Sequence, residues 1–523
     1  MTPDGARSAA TGTPRRWLVL GVLCLAVFTT MVDTSIVNVA LPSLVRELGA
    51  STHDLLWIVD SYNLVFASLV LAAGSLSDRY GRKGALILGL AVFGLASAAG
   101  SMGSDSTQLV VARSVMGVGA AIVFPATLSI ITNVFTDRTE RATAIGVWGA
   151  TTGLAVAFGP ITGGWLLEHF WWGSIFLAMA PVALVALVLV ALAVPTSRDP
   201  AAPRLDRRGF FLSITGLGAL VFTIIEAPGV GWTSPRTLLG FAVAAVIITL
   251  FVVVEHRTEE PMLDVSLFKN ARFSAASGSV AVAFFALFGF MFLVAQYMQF
   301  ALGYSPFSTG IRTLPVAMAV GVTSVIGTQL AVRLGNKLVV ASGLSVMTIG
   351  FLWISTDLAT TPYLTIAAQM VVMGIGIGLT SAPATEAIMG VVPPEKAGVG
   401  SAVNDATREL GGTLGVAVIG SVFVSLYAAS FDDLSAARVP EEAVSVAQES
   451  IGAAQAIANG VPGGAMSDAG QAILQAANTG FFDGFAAGCL VAAGVTFLGA
   501  IAAGILLPAR PIVHAADLVE VTG

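Results

Sequence analysis

The sequence predicts an all-α integral membrane protein with fourteen spanning helices, and two observations carry that prediction. Of its 523 residues, 56% are hydrophobic and only 11% charged, with a mean hydropathy of +0.87. A soluble domain carries about 25% charged residues, so a chain with less than half of that must turn apolar surface toward lipid. The apolar residues also come in runs of about 20, the length that crosses a hydrocarbon core at 1.5 Å per residue.

In order, the runs are 17–41, 55–76, 84–103, 107–131, 142–167, 173–195, 209–228, 236–255, 273–301, 309–331, 338–357, 362–391, 400–428 and 482–508. The first is too long for the apolar stretch of a cleaved leader, and no small-x-small site follows it, so it counts as a span. Lys and Arg set the expected orientation. With a cytoplasmic N-terminus, twenty of the twenty-five fall in inside segments, among them 1–16, 77–83, 196–208 and 256–272. Arg46, Arg236, Arg312 and Arg438 fall outside, and Arg113 falls within a span. A basic excess marks the cytoplasmic side, and an even number of spans returns the C-terminus to it. The net charge of −6 says less about partners than this asymmetry.

Several chemistries are excluded. Each of Lys83, Lys269, Lys337 and Lys396 follows a residue other than glycine, so the chain has no P-loop. His53, His169, His256 and His514 fall in predicted loops or tails, which leaves no intramembrane haem or copper ligation. Cys24 and Cys489 lie in separate spans, form no CxxC pair, and read as packing residues. There is no GxSxG and no HExxH, so an enzyme would have to work with carboxylates alone. No cofactor, metal or nucleic-acid partner is expected.

The scarce charges are not spread evenly. Residues 74–84 read GSLSDRYGRKG, with Asp78, Arg79, Arg82 and Lys83 among Gly74, Gly81 and Gly84, in the loop between spans 2 and 3. Positive-inside anchoring accounts for the basic residues but not for Asp78 or the glycines. An acid beside arginines makes charge-assisted hydrogen bonds that form in one conformation and break in another. A fainter copy, LAVRLGNK (330–337), repeats Leu, Arg, Gly and Lys of LSDRYGRK (76–83), with Val332 in place of Asp78. It joins spans 10 and 11, the spacing of a six-helix repeat interrupted by two extra helices, and duplicated halves are common in secondary transporters.

These stretches resemble the motifs of the major facilitator superfamily and of its fourteen-helix drug:proton antiporter branch. GSLSDRYGRKG is similar to motif A, and VDTSIVNVALP (32–42) to the helix 1 pattern, with Ser35 where Thr is usual. ARSVMGVGAA (112–121) resembles motif B, with Arg113 in place and Met116 where glutamine often stands. AVAFGPITGG (155–164) resembles the antiporter motif C, with Ala155 for its first glycine. The resemblance implies a 6+2+6 fold: a tail (1–16), a first bundle (17–195), two inserted helices with their flanking loops (196–272), a second bundle (273–508) and a C-terminal tail (509–523). It further implies that Asp78, Arg79 and Arg82, helped by Gly74 and Gly81, latch a cytoplasmic gate against the start of helix 13. Gly159, Pro160, Gly163 and Gly164 would seal the exporter against leakage, although small-residue helix packing uses the same residues.

Three ionisable residues stand at nearly one depth. Asp33 lies about 16 residues, or ~24 Å, from the cytoplasmic end of helix 1, while Asp60 and Arg113 each lie about six residues, ~9 Å, inside the outer ends of helices 2 and 4. A charge at mid-membrane costs roughly 2.5–3.5 kcal/mol on insertion scales, so such residues mark proton or ion pathways or pair with one another. Asp33 is the leading proton or cation site, Asp60 its partner and Arg113 the modulator; a structural ion pair is the alternative. Glu226, Glu386 and the trio Asp405, Arg408 and Glu409 are secondary candidates, the trio as a salt network opposing the motif A loop. Gln296, Tyr297 and Gln299, with Trp57, Tyr62, Phe124, Trp148 and Phe158, are candidates to line a cavity. Segment 429–481 reads as an extracytoplasmic cap of short helices broken at VPGG.

The expected activity is secondary active export of a hydrophobic or amphiphilic drug or antibiotic by proton antiport, by a monomer in a bacterial cytoplasmic membrane. A dedicated exporter of one host-made antibiotic or siderophore fits the same sequence. So does a membrane enzyme or sensor built on a transporter scaffold.

Overall fold

The computed structural model describes residues 13–198, 206–259, 261, 263, 265–392, 397–432, 441–460 and 464–507. Among them all regular structure is helical, which suits a chain surrounded by lipid, since a helix pairs its own backbone groups. The long helices are α1 (Thr13–Leu48), α2 (Thr52–Tyr80), α3 (Arg82–Ser101), α4 (Ser106–Val134), α5 (Arg138–His169), α6 (Ser174–Ala193), α7 (Arg207–Val230), α8 (Pro235–Arg257), α9 (Ala271–Gln296), α10 (Leu314–Leu334), α11 (Asn336–Ile354), α12 (Tyr363–Met389), α13 (Ala397–Ala429) and α14 (Asp468–Leu506). Thirteen are long and apolar enough to cross a membrane; α2, bent by 53° between Val70 and Ala72, is the fourteenth when its two arms count as one span.

Short polar side chains decide where the helices begin. Ser51 and Asp54 form a reciprocal capping box at α2, Asp105 accepts from the Gln108 N–H at α4, and Ser234 followed by Pro235 opens α8. Asp206, Asn270 and Ser467 do the same for α7, α9 and α14.

The packing repeats. In the first half α1 lies against α5 and α6, α2 against α4, and α3 against α4 and α6; in the second, α9 lies against α13 and α14, α10 against α12, and α11 against α12 and α14. The repeat extends to single residues. Gly81 (φ +128°) separates α2 from α3 and its N–H donates to Ser77 O at 3.0 Å; Gly335 (φ +86°) separates α10 from α11 and donates to Ala331 O at 2.9 Å. Only glycine adopts such φ values without strain, which accounts for its survival in both copies. Gly89 and Gly343 likewise let α3 and α11 close on α4 and α12: a Cβ at either would sit 2.9 or 2.8 Å from a backbone oxygen of the partner helix. Val332, at the place of Asp78, is exposed. Of the inserted pair, α7 packs on α2 and α13 across one seam between the bundles, and α8 packs on α7.

Two features differ from the sequence reading. The last helix begins at Asp468 rather than at 482, because nothing in 468–481 breaks it and Ile473, Ala476 and Ala477 are buried there. The capping segment therefore consists of Glu441–Ala447 and Ile451–Gly460 together with the first turns of α14. It reaches both bundles: the Thr52 N–H donates to Glu449 O at 2.8 Å, and Tyr427 Oη to Ala447 O at 3.2 Å. In addition, His53, His169 and His256 lie in end turns of helices, not in loops. His514, the C-terminal tail and most of the N-terminal tail lie outside the described residues.

Candidate functional site

The buried charges of the first bundle meet at one place. Asp33 on α1 and Arg113 on α4 are 0% and 1% exposed, and Arg113 Nη1 donates to Asp33 Oδ2. The guanidinium is shared further: its Nε donates to Ile58 O of α2 at 3.0 Å, and its carbon lies 4.3 Å from the centre of the Tyr62 ring. Three helices thus converge on one cation. Asp33 Oδ1 has no hydrogen-bond partner among the described residues, and neither oxygen of Asp60 has one, although Asp60 is wholly buried on the same helix as Ile58. The structure brings Asp33 and Arg113 together, whereas Asp60, the partner of Asp33 in the sequence reading, makes no hydrogen bond to either.

Below Arg113 an aromatic column runs toward the basic loops. Tyr62 stacks on Phe66 at 6.4 Å, Phe66 meets Phe124 at 5.9 Å, and Phe124 meets Trp148 at 4.9 Å, where Trp148 Nε1 donates to Thr127 Oγ1 at 3.2 Å. Of the other aromatic candidates, Trp57 packs on Phe222 of α7 and Phe158 is half exposed beside Phe28. Gln299 lies in a π turn (Tyr297–Ala301) after α9, and its Nε2 donates across to Val39 O of α1 at 2.8 Å. Gln296 instead bonds within its own helix, to Phe292 O at 3.1 Å.

The glycines of the motif C stretch face two ways. A Cβ at Gly159 or Gly163 would strike Ser35 or Ile36 of α1, in the same bundle. At Gly164 it would sit 2.6 Å from Phe307 Cα, and Pro160 O stands against Gly310, both on the short helix Pro306–Arg312 that leads into α10 of the other bundle. The bundles therefore touch through α5 at its C-terminal end. Between Gly146 and Phe158 most of α5 is exposed, and Gly146, Gly149 and Gly153 have no neighbour within 4 Å of where a Cβ would be. Two of the three departures from the family pattern meet each other: Ser35 Oγ donates to Ala155 O at 3.4 Å.

In the motif A stretch Arg82 Nε donates to Asp78 Oδ1 at 2.6 Å, the Arg82 N–H to Ser197 O at 3.0 Å, and Lys83 Nζ to Ala191 O at 2.8 Å. These contacts tie the loop to the end of α6. Gly74 lies against Pro125, with a Cβ placed 3.4 Å from it. The expected counterpart of Asp78 and Arg79, the start of helix 13, lies outside the described side chains.

Of the secondary candidates, Glu226 Oε1 lies 3.0 Å from His53 Nε2, both partly exposed, and Glu386 is exposed near the end of α12. Arg408 turns toward α12 and α9, donating to Thr385 Oγ1 at 3.1 Å and lying 5.2 Å from the Phe284 ring. Glu409 feels the charges of Asp405 and Arg408, acts electrostatically on Tyr62, and leaves Oε2 without a hydrogen-bond partner among the described residues. Three groupings were missed from the sequence: Glu255, whose Oε2 accepts the Leu263 N–H at 2.9 Å; Arg312, held between Tyr304 and Tyr363; and Asp357, which accepts from Gln369 Nε2 at 2.8 Å. An unexplained charge at a predicted helix end was the available signal for each. Among the described residues no cluster of His, Cys, Asp and Glu is arranged to hold a metal ion.

The profile of the Major Facilitator Superfamily matches residues 23–416. The chain is 35% identical over 483 residues to the multidrug efflux pump LfrA of Mycolicibacterium smegmatis, covering 92% of this chain and 94% of that one. It is 35% identical over 471 residues to the methyl viologen resistance protein SmvA of Salmonella typhimurium (89% and 93% covered), and 33% identical over 415 residues to the methylenomycin A resistance protein of Streptomyces coelicolor (79% and 87%). In fold it is similar to a bacterial homolog of the human lysosomal transporter Spinster in an inward-facing, occupied conformation. That likeness has a TM-score of 0.67 at 16% identity and covers 94% of this chain and 98% of that one.

Proposed function

We propose that this chain, which belongs to the Major Facilitator Superfamily and is a multi-pass membrane transporter of small molecules rather than an enzyme, exports hydrophobic or amphiphilic drugs and antibiotics by proton antiport. The observation that carries the reading is the buried group at Asp33: a carboxylate with one oxygen held by Arg113 and one left over, while α2, the helix that Arg113 also binds, carries a second buried acid, Asp60, that has no hydrogen-bond partner among the described residues. Carboxylates placed this way take up and release protons, and a neighbouring guanidinium sets the balance between the two states. The relatives named for multidrug efflux and methyl viologen resistance support a lipophilic and cationic cargo.

The way the bundles meet supports transport by alternating access. Gly164 and Pro160 close them on Pro306–Gly310 at one face, while α5 stands clear from Gly146 to Phe158 toward the other. The clear face carries Arg16, Arg82, Lys83 and Arg141, so on the positive-inside rule it is cytoplasmic, both termini lie there, and cargo enters from the cytoplasm of a bacterial cell. Asp78, Arg79 and Arg82 with Gly74 and Gly81 form the gate at that face, and Glu409 with Asp405 and Arg408 completes the polar lining from the second bundle. One chain holds both bundles and all these acids, which supports a working monomer. The relative named for methylenomycin A resistance favours a second reading, export of one host-made antibiotic.

Efflux of dyes and drugs from energised cells, wild type against Asp33→Asn at matched membrane levels and with or without a protonophore, tests the proposal. Extrusion abolished by both treatments supports it. Extrusion indifferent to both removes proton antiport, and extrusion of a single compound class moves the reading to the dedicated exporter.

A further inference from the structure

The inserted hairpin of α7 and α8 is fastened across the seam between the bundles at one end. There His53 of α2 meets Glu226 of α7, and Trp57 packs on Phe222 with ring centroids 5.9 Å apart. From the second bundle, Ser421 Oγ of α13 donates to Ile224 O at 2.9 Å, and Ser425 Oγ accepts from Trp232 Nε1 at 3.1 Å. Toward the basic loops the hairpin stands off. A cavity of about 410 Å³ lies between α7 and α8 on one side and α2, α9 and α13 on the other. That is within the roughly 300–1,000 Å³ of small-molecule sites.

Its walls have a definite chemistry. No charged residue lines it; Leu212, Leu217, Phe251, Phe268 and Leu410 give aliphatic and aromatic surface. Three of its hydroxyls bond to nearby backbone: Ser213 Oγ to Phe210 O at 3.0 Å, Ser274 Oγ to Phe268 O at 2.5 Å and Thr407 Oγ1 to Val403 O at 2.7 Å. Ser68 on α2 and Ser277 on α9 differ. They are 4% and 2% exposed, line the cavity, and their hydroxyls have no hydrogen-bond partner among the described residues. A hydroxyl removed from water without a partner is costly, so each is a donor that an occupant's acceptor would satisfy.

We infer that this cavity binds a neutral aliphatic chain bearing a hydrogen-bond acceptor of the ester type, its acceptor oxygen meeting the Ser68 or Ser277 hydroxyl and its chain lying among Leu212, Leu217 and Phe251. A charged ligand would find no counter-charge there, whereas the Asp33–Arg113 site offers one. Such a chain comes either from a bilayer phospholipid or from a free lipophilic ester dissolved in the membrane. The inference does not depend on what the transporter exports.

Gly278 supplies the test. It lines the cavity on α9, and a Cβ there would meet nothing within 4 Å, so Gly278→Leu fills the space without displacing backbone. The full chain in lipid nanodiscs is photolabelled with a diazirine-bearing phosphatidylcholine in one arm and a diazirine-bearing fatty-acid methyl ester in the other, and labelled peptides are mapped. We expect label within 212–217, 248–252 or 277–281 that falls about tenfold in Gly278→Leu, while label at the exposed Leu95 stays constant. Label from the phospholipid alone identifies a bilayer lipid as occupant, and label from the methyl ester alone identifies a free lipophile. The double variant Ser68→Ala, Ser277→Ala adds no bulk and lowers the same label, which keeps the test open should Gly278→Leu fold poorly. No label in those segments from either probe, or label that neither variant reduces, overturns the site.

Discussion

Arg113 binds Asp33 through one terminal nitrogen and the Ile58 carbonyl through its Nε at 3.0 Å, so a single guanidinium joins α4 to both α1 and α2. A helix lock and a proton site are both built this way, and stability separates them. Asp33→Asn strands a buried cation and should cost about 3–5 kcal/mol, the usual penalty for removing one member of a buried pair. The double variant Asp33→Asn, Arg113→Gln removes both charges, so its melting temperature should recover most of that loss while efflux stays absent. Efflux restored in the double variant would reduce the pair to a lock between helices.

Asp60 makes the opposite case. It is fully buried, and neither of its oxygens has a hydrogen-bond partner among the described residues, so Asp60→Asn breaks no bond. Thermal stability should be unchanged or raised, since an uncompensated carboxylate is removed from a site that does not solvate it. Efflux should nevertheless fall by at least about tenfold, a loss of roughly 1.4 kcal/mol or more in the coupled step. Normal efflux with an unaltered pH profile would take Asp60 out of the coupling group.

Adjacent glycines on α5 should behave differently. A side chain at Gly163 meets Ile36 of the same bundle, whereas one at Gly164 meets the Phe307 backbone of the other, with its Cβ 2.6 Å from Phe307 Cα. Gly163→Ala should lower the melting temperature. Gly164→Ala should leave it nearly unchanged, slow efflux, and lengthen the spin-label distance between the exposed positions Phe170 and Leu358. Equal effects from the two substitutions would mean that Gly164 has no special role between the bundles.

What the sequence made legible follows from what lipid imposes. The length of an apolar run is fixed by bilayer thickness, so all fourteen spans could be read, and a positive-φ joint admits little but glycine, so the Gly81–Gly335 repeat stood out. Charges inside spans were conspicuous for the same reason, and Asp33 and Arg113 do meet. The facing of residues was not legible. In a spanning helix the lipid side and the core side are both apolar, so no periodicity indicates that Gly164 looks to the other bundle while Gly163 looks inward. Nor could composition reveal that Glu226 would meet His53, or that the last helix would begin at Asp468, since the apolar-length rule detects only the part that lies in lipid.

Asp357 gives a pH dependence with a definite sign. It lies in the turn between α11 and α12, outside the spanning helices and almost buried, and accepts from Gln369 Nε2 at 2.8 Å. Burial pushes its carboxyl from an ordinary 3.8 up to about 6, against the lowering effect of the Gln369 amide. The folded chain therefore holds this proton more tightly than the unfolded chain. The stability it contributes is fully present below the ordinary value and is lost as pH rises through about 6. Asp357→Asn keeps an acceptor for Gln369 and removes the titration. Melting temperatures of the two proteins, measured from about pH 4 to pH 8, should converge at the acid end, separate as pH rises toward about 6 and stay apart above it, with the wild type the lower. Parallel curves across that range would mean that the Asp357 carboxyl titrates alike in the folded and unfolded chain, and that its burial is relieved by solvent in the membrane-bound protein.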